Sequence, residues 1–211
     1  MHSSDAQLHS PAAERNRLPI LDLLQRWLPA RGKALEIASG TGQHAVHFAA
    51  GLPGWTWQPT DTDAASLASI AAWREAAALP NLLPALPLDA TAWPWPIETP
   101  VDALFCANML HISPWHTCAA LMRGAAQHLG PGGALILYGP FLIDGVVTAP
   151  GNLAFNADLR ARNPSWGLRR LADVEAVAVA AGLVLHDRIA MPANNAMLLF
   201  GRAARTGAGS S

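Results

Sequence analysis

The chain has 211 residues, 51% of them apolar and 14% charged, with a formal net charge of −1. That length and composition fit one densely packed domain and exclude a disordered chain. The near-neutral balance lacks the basic surface used for general nucleic-acid or anionic-membrane binding, and no apolar run approaches the ~20 residues that cross a bilayer.

Residues 1–13 and 203–211 read as mobile tails around a domain over 14–202. Met1 to Ala13 holds no apolar signal core, and the two cysteines, Cys106 and Cys118, lack metal-ligand spacing. Both features fit a reducing, cytoplasmic setting. From Glu14 to Leu28 the residues Leu18, Leu21, Leu24, Trp27 and Leu28 recur at helical spacing, with Pro19 read as part of a tolerant first turn. Lys33–Ala38 is a first strand running into a Gly-rich turn, Gln43–Ala50 a helix and Trp55–Pro59 a second strand. Ala64–Ala78 is an Ala-rich helix, and Leu82–Leu88 a third strand whose prolines put it at a sheet edge.

Val101–Ala107 is a fourth strand, Trp115–Leu129 a helix stopped by Gly130-Pro131-Gly132-Gly133, and Ala134–Tyr138 a fifth strand. Residues 139–169 form a long Gly/Pro/Asn-rich insertion. Leu171–Ala181 is a helix, and Leu183–Ile189 and Ala196–Phe200 form a closing hairpin. Strands alternating with helices predict an α/β, Rossmann-like fold, a seven-stranded and mostly parallel sheet with a C-terminal antiparallel hairpin. In such sheets ligands bind beyond the carboxyl ends of the strands.

The turn Glu36-Ile37-Ala38-Ser39-Gly40-Thr41-Gly42 lies at such an end. Gly40 and Gly42 permit close backbone approach to a ligand, and the helix that follows offers unpaired N–H groups. A turn of this kind also serves NAD. Glu36, inside the strand, separates the two: a pyrophosphate gains nothing from a carboxylate, whereas S-adenosylmethionine carries an ammonium and a sulfonium that do. Asp61 follows Gly42 by 19 residues at the end of the second strand, placed to accept ribose hydroxyls, and Asp89 ends the third, placed for an adenine amino group. Either aspartate could instead cap the next helix.

These stretches resemble the class I methyltransferase-like family long catalogued as a domain of unknown function, which includes methyltransferase-like 26. The resemblance rests on Glu14-Arg15-Asn16, Leu35 to His44, Trp57-Gln58-Pro59-Thr60-Asp61, Asn108 to Trp115, Tyr138-Gly139-Pro140-Phe141, Asn152 to Arg160, Trp166-Gly167-Leu168-Arg169 and Met191 to Asn195, covering roughly residues 14–202. It implies S-adenosylmethionine as cofactor, held by Glu36, Ala38, Ser39, Gly40 and Gly42 at the methionine end, Asp61 at the ribose and Asp89 at the adenine, with Asn108 and Met109 lining the cleft. Ala38 stands where methyltransferases in general have glycine, and Gly151 where serine is expected beside Asn152.

Methyl transfer needs a positioned nucleophile, excluded water and, for a protonated acceptor, a base. His111 is a candidate base or a loop-orienting residue, and Tyr138, the only tyrosine, positions an acceptor or packs. Asn152, Asn156, Arg160, Trp166 and Arg169 lie in the insertion, a natural substrate lid, where an arginine pair holds a carboxylate or phosphate or else forms surface ion pairs. Asn194-Asn195 reads as a substrate-facing turn or as ordinary turn chemistry. Arg15 and Asn16 reach over the cleft, or their helix only covers the sheet edge. His44 and His47 share a helix face with no carboxylate at metal spacing, so no metal site is expected. Gly-x-Ser-x-Gly is absent, against a hydrolase.

The reading is therefore methyl transfer to a small-molecule acceptor, with no nucleic-acid or membrane partner and a possible homodimer. The rivals are an NAD-dependent oxidoreductase and a cofactor-binding protein without catalysis.

Overall fold

The computed structural model describes residues 6–97 and 100–203. In chain order the elements are α1 (Pro11–Trp27), β1 (Gly32–Ile37), α2 (Gln43–Gly51), β2 (Trp55–Asp61), α3 (Ala64–Ala77), β3 (Leu86–Pro87), β4 (Val101–Ala107), α4 (His116–His128) and β5 (Leu129–Gly139). They continue with β6 (Phe141–Leu142), α5 (Pro150–Arg162), β7 (Arg169–Arg170), α6 (Leu171–Ala180), β8 (Leu183–Met191) and β9 (Asn195–Arg202).

Seven strands form one sheet in the order β3-β2-β1-β4-β5-β9-β8. All neighbours are parallel except β9, which runs antiparallel to β5 and β8. The α/β fold with its antiparallel C-terminal hairpin is thus the one the alternating pattern predicts. The chain moves outward from β1 through β2 to β3, then returns to place β4 on the other side of β1. This reversal opens a crevice between β1 and β4, the usual ligand position in an open α/β sheet.

Strand alternation sends successive side chains to opposite faces. On one face Trp57 and Phe105 pack with Ile20 and Leu24 of α1 and Phe48 of α2. On the other, Leu35, Ile37 and Leu104 pack with Leu121 and Met122 of α4 and Val174 and Ala178 of α6. Both layers are fully desolvated, Phe48, Phe105 and Trp57 being 0% exposed. At ~25 cal/mol per Å2 of apolar surface, each such aromatic stabilises the fold by roughly 2–3 kcal/mol.

Several boundaries differ from the expected ones. α1 starts at Pro11, where proline suits the first helical turn and the Ser10 side chain caps the Ala13 amide. Pro19 therefore lies in the helix interior, where it has no N–H to offer the Arg15 carbonyl. Of the tail expected over 1–13, residues 11–13 are helical. Ahead of them, the Leu8 amide donates to Ser69 Oγ (2.8 Å) and the Trp73 indole donates to the Leu8 carbonyl (3.0 Å). Residues 1–5 lie outside the described residues, as does the second expected tail from 204 onward.

The third strand shrinks to Leu86–Pro87, with Leu82 making a lone bridge to Trp57. Pro80, Pro84 and Pro87 cannot donate to a ladder, so only the edge position survives. β5 begins at Leu129 and runs through Gly130–Gly133. The insertion at 139–169 is also structured: it holds α5 and the small parallel pair β6–β7.

Candidate functional site

The Gly-rich turn leaves β1 with Ala38 at φ 56°, Gly40 at φ 57° and Gly42 at φ 86°, all left-handed. Ala38 tolerates at some cost a conformation that glycine adopts freely. At Gly42 the requirement is also steric, because a Cβ there would lie 2.9 Å from the Ile70 Cα. At Gly40 a Cβ would meet nothing within 4 Å, so that face of the turn is open space.

Second-strand residues tie the turn down. The Ser39 amide donates to the Thr60 carbonyl (2.8 Å) and the Thr60 amide to Ser39 Oγ (3.1 Å). Asp61 Oδ2 accepts from the Gly40 amide (2.8 Å), and its Oδ1 from the amides of Thr62 (2.8 Å) and Asp63 (3.0 Å). A carboxylate offers about four acceptor positions, which leaves room for one further donor. Asp61 thus braces the turn and presents a remaining lone pair beyond β2.

Glu36 faces the layer of Trp57 and Phe105. It is 2% exposed, and the Trp57 indole donates to its Oε2 at 2.7 Å. Burial pushes the carboxyl up to about 8 against the Trp57 hydrogen bond, with the negative Asp61 adding to the rise. Asp89 is exposed, and its Oδ1 accepts from the Thr91 amide and hydroxyl (both 2.7 Å). Those bonds hold its carboxyl below the usual range.

Beyond β4 and β5 lies a cavity of about 830 Å3, within the range of small-molecule sites. It brings together residues far apart in sequence: Arg15 and Asn16 of α1, Asn108 and His111 after β4, Tyr138 at the end of β5, Asn152 of α5, Trp166, and Asn195 after β8. Asn108, at φ 59°, is reached directly from β4, and its amide donates to the Tyr138 carbonyl at 2.8 Å. Met109 sits beside it, half-buried against the core.

His111 is 6% exposed and packs edge-on against Phe155 of α5. Burial, with the Arg169 guanidinium nearby, holds its imidazole down to about 4, so it is neutral at pH 7. Tyr138 is 4% exposed, and burial raises its phenol. The Asn16 side chain lies in hydrogen-bonding reach of that hydroxyl, and Asn16 Oδ1 pairs with His44 Nε2 at 2.7 Å.

Two expected substrate contacts are placed differently. Arg169 does not line the large cavity: its Nε donates to the Leu110 carbonyl (2.9 Å) and its Nη2 to those of Ser113 (2.6 Å) and Ser165 (2.8 Å), which fixes the loop carrying His111. Asn194 accepts from the Ala149 amide (3.0 Å) and from Asn152 Nδ2 (3.3 Å), clasping the start of α5 to the β8–β9 turn.

The sequence reading missed Ile112, Phe155, Leu159 and Arg162 on the wall. Asn152, Phe155, Leu159 and Arg162 follow helical spacing after Pro150, a signal obscured because Leu159 alone is buried in α5.

The fold is that of several solved methyltransferases. An O-methyltransferase family protein from Burkholderia thailandensis aligns with a TM-score of 0.75 and 18% identity, over 92% of this chain and 58% of that one. CalO1, a methyltransferase in calicheamicin biosynthesis solved with SAH bound, gives 0.72 and 15% over 90% and 54%. An O-methyltransferase family 2 protein from Planctomyces limnophilus, in complex with apigenin, gives 0.71 and 21% over 95% and 65%. The chain thus spans 54–65% of the length of these three. The family model described as protein of unknown function, DUF938, matches residues 7–202, and the chain belongs to that family.

Proposed function

We propose that the protein transfers a methyl group from S-adenosylmethionine to a hydroxyl of a small-molecule acceptor. The observation that carries this reading is the placement of a Gly-rich turn, braced by Asp61, at the end of β1, next to the strand β4 whose end leads into a large cavity lined by a neutral histidine and a tyrosine. The likeness of fold to solved O-methyltransferases supports it.

Bound S-adenosylmethionine supplies an electrophilic methyl on a sulfonium. The Gly40 turn and the helix start at Gln43 would hold its methionine end, Asp61 one ribose hydroxyl and Asp89 the adenine edge. The buried Glu36 is held protonated beneath the turn, and a cationic ligand there would favour its ionisation. Asn108, on the cavity wall, and Met109 beside it would lie where cofactor and acceptor meet.

The acceptor oxygen lies against His111 and Tyr138. With the bound cofactor supplying the methyl, the acceptor's hydroxyl proton would pass to the His111 imidazole, which burial keeps neutral. The Tyr138 hydroxyl, oriented by Asn16, fixes the acceptor. Phe155 and Trp166 give the cavity apolar wall that a bound acceptor would cover, displacing water.

Calorimetric titration with S-adenosylhomocysteine tests the first half of the reading. Saturable binding is expected, lost in Gly40→Val and weakened in Asp61→Asn. No heat at millimolar ligand overturns it.

A further inference from the structure

The cavity wall carries charge of one sign. Its ionisable residues are Arg15, Arg162, His111 and Tyr138, and no carboxylate lines it among the described residues. The two arginines are weakly engaged. Arg162 sits 3.8 Å from Asp158 in a solvent-exposed pair of little strength, and its guanidinium lies 5.4 Å over the Trp166 ring. Arg15 is exposed on α1 and close enough to Tyr138 to act on its hydroxyl electrostatically. Beneath the wall, Arg169 adds a third cation, held on three carbonyls.

The rest of the lining combines neutral amides, Asn16, Asn108, Asn152 and Asn195, with an apolar stretch. Phe155, Trp166, Ile112 and Leu159 make up that apolar part of the wall. Phe155 and Ile112 remain 37% and 45% exposed, large apolar surface that the fold itself does not cover.

A base in this setting has a difficulty. Protonating His111 puts a new cation beside Arg169, in a buried place that the chain furnishes with no anion. The methyl donor adds a sulfonium close by. A substrate that brings its own negative charge removes the repulsion.

We propose that the acceptor is a small aromatic acid: a planar ring that carries a hydroxyl as nucleophile and a carboxylate as the counter-charge the cavity lacks. The ring lies between Phe155 and Trp166, and the carboxylate pairs with Arg15 and Arg162. The hydroxyl proton moves to His111, and the products are the aryl methyl ether, neutral S-adenosylhomocysteine and, after release, one proton. This substrate class rests on the methyltransferase reading above, but binding alone can test it.

The experiment measures affinity of the full chain for 2-, 3- and 4-hydroxybenzoate and for the three matching hydroxybenzamides, with and without saturating S-adenosylhomocysteine. At least one acid is expected to bind ten times more tightly than its amide, and Arg15→Gln with Arg162→Gln to reduce that preference to less than threefold. Circular dichroism of the double variant shows whether it is folded, and Arg162→Lys restores part of the preference if charge is what matters. Equal binding of acids and amides, failure of every acid to bind below 5 mM, or an acid preference unchanged in the double variant overturns the proposal. Failure of the methyltransferase reading appears separately, as absence of S-adenosylhomocysteine binding while the acid preference persists.

Discussion

His111 illustrates how burial prepares a base. A histidine in water is partly protonated near neutrality, whereas this one is kept neutral by a dry pocket and a neighbouring guanidinium. Its proton affinity must then be raised by what enters the cavity. Replacing it with glutamine keeps a polar side chain of similar reach but removes the base. His111→Gln is expected to lower kcat by 10²–10⁴, the usual worth of a general base, with unchanged affinity for S-adenosylhomocysteine. Wild-type turnover in this variant removes His111 from the mechanism. Residue identity at this position was legible in the sequence because Asn108 to His111 directly follow a buried strand. The role of Arg169 was not legible, because nothing in its sequence context shows that three carbonyls converge on it.

At the scale of elements, α5 supplies one wall of the large cavity. A single buried side chain, Leu159, anchors its body, and the Asn152–Asn194 clasp anchors its start. Each hydrogen bond in such a clasp contributes about 1 kcal/mol. Asn194→Ala is expected to speed amide exchange over 150–162 by roughly tenfold and to raise KM for the acceptor more than it lowers kcat. Unchanged exchange would assign the clasp no part in closure. The same economy of burial explains why this helix was not predicted: amphipathic periodicity reports the face that a helix buries, and α5 buries almost none. By contrast, α4 and α6 bury apolar residues against the sheet and were legible. α1 was legible as a helix but not in its buried face: of the five residues read as its stripe only Leu24 is buried, Leu18 is 61% exposed, and the helix turns Ala13, Asn16, Ile20, Leu23 and Leu24 inward. The shortened β3 was partly legible, since its prolines signalled an edge but not how few ladder bonds would remain.

For the whole molecule, three buried groups set opposing pH trends. His44 and His111 are held down to about 4 from an ordinary 6.5, so the unfolded chain takes up their protons first and stability falls as pH drops from 6.5 towards 4. Glu36 is raised from 4.5 to about 8, so the folded state keeps a proton that the unfolded chain loses, and stability falls as pH rises through that interval. From these groups alone, the slope is positive below 6.5, where two histidines outweigh one carboxyl, and negative from 6.5 to 8. Each unmatched proton changes stability by about 1.4 kcal/mol per pH unit. Tm measured across pH 4–9 is expected to peak near 6.5, and Glu36→Gln to flatten the alkaline side. A Tm that rises steadily from 6.5 to 8 would contradict this account. Ionisation of Glu36 on cofactor binding would also release a proton, visible as a buffer-dependent binding enthalpy.

The two halves of the site have different histories during synthesis. The Gly-rich turn and its brace at Asp61 come from one stretch of chain between β1 and β2, available once that segment has left the ribosome. The acceptor cavity draws on α1, the ends of β4 and β5, α5 and the β8–β9 turn, so its last wall arrives only with Pro192 to Asn195. A nascent chain can therefore shape the Gly-rich turn long before it can wall the large cavity, and the closing hairpin completes that wall as it completes the sheet.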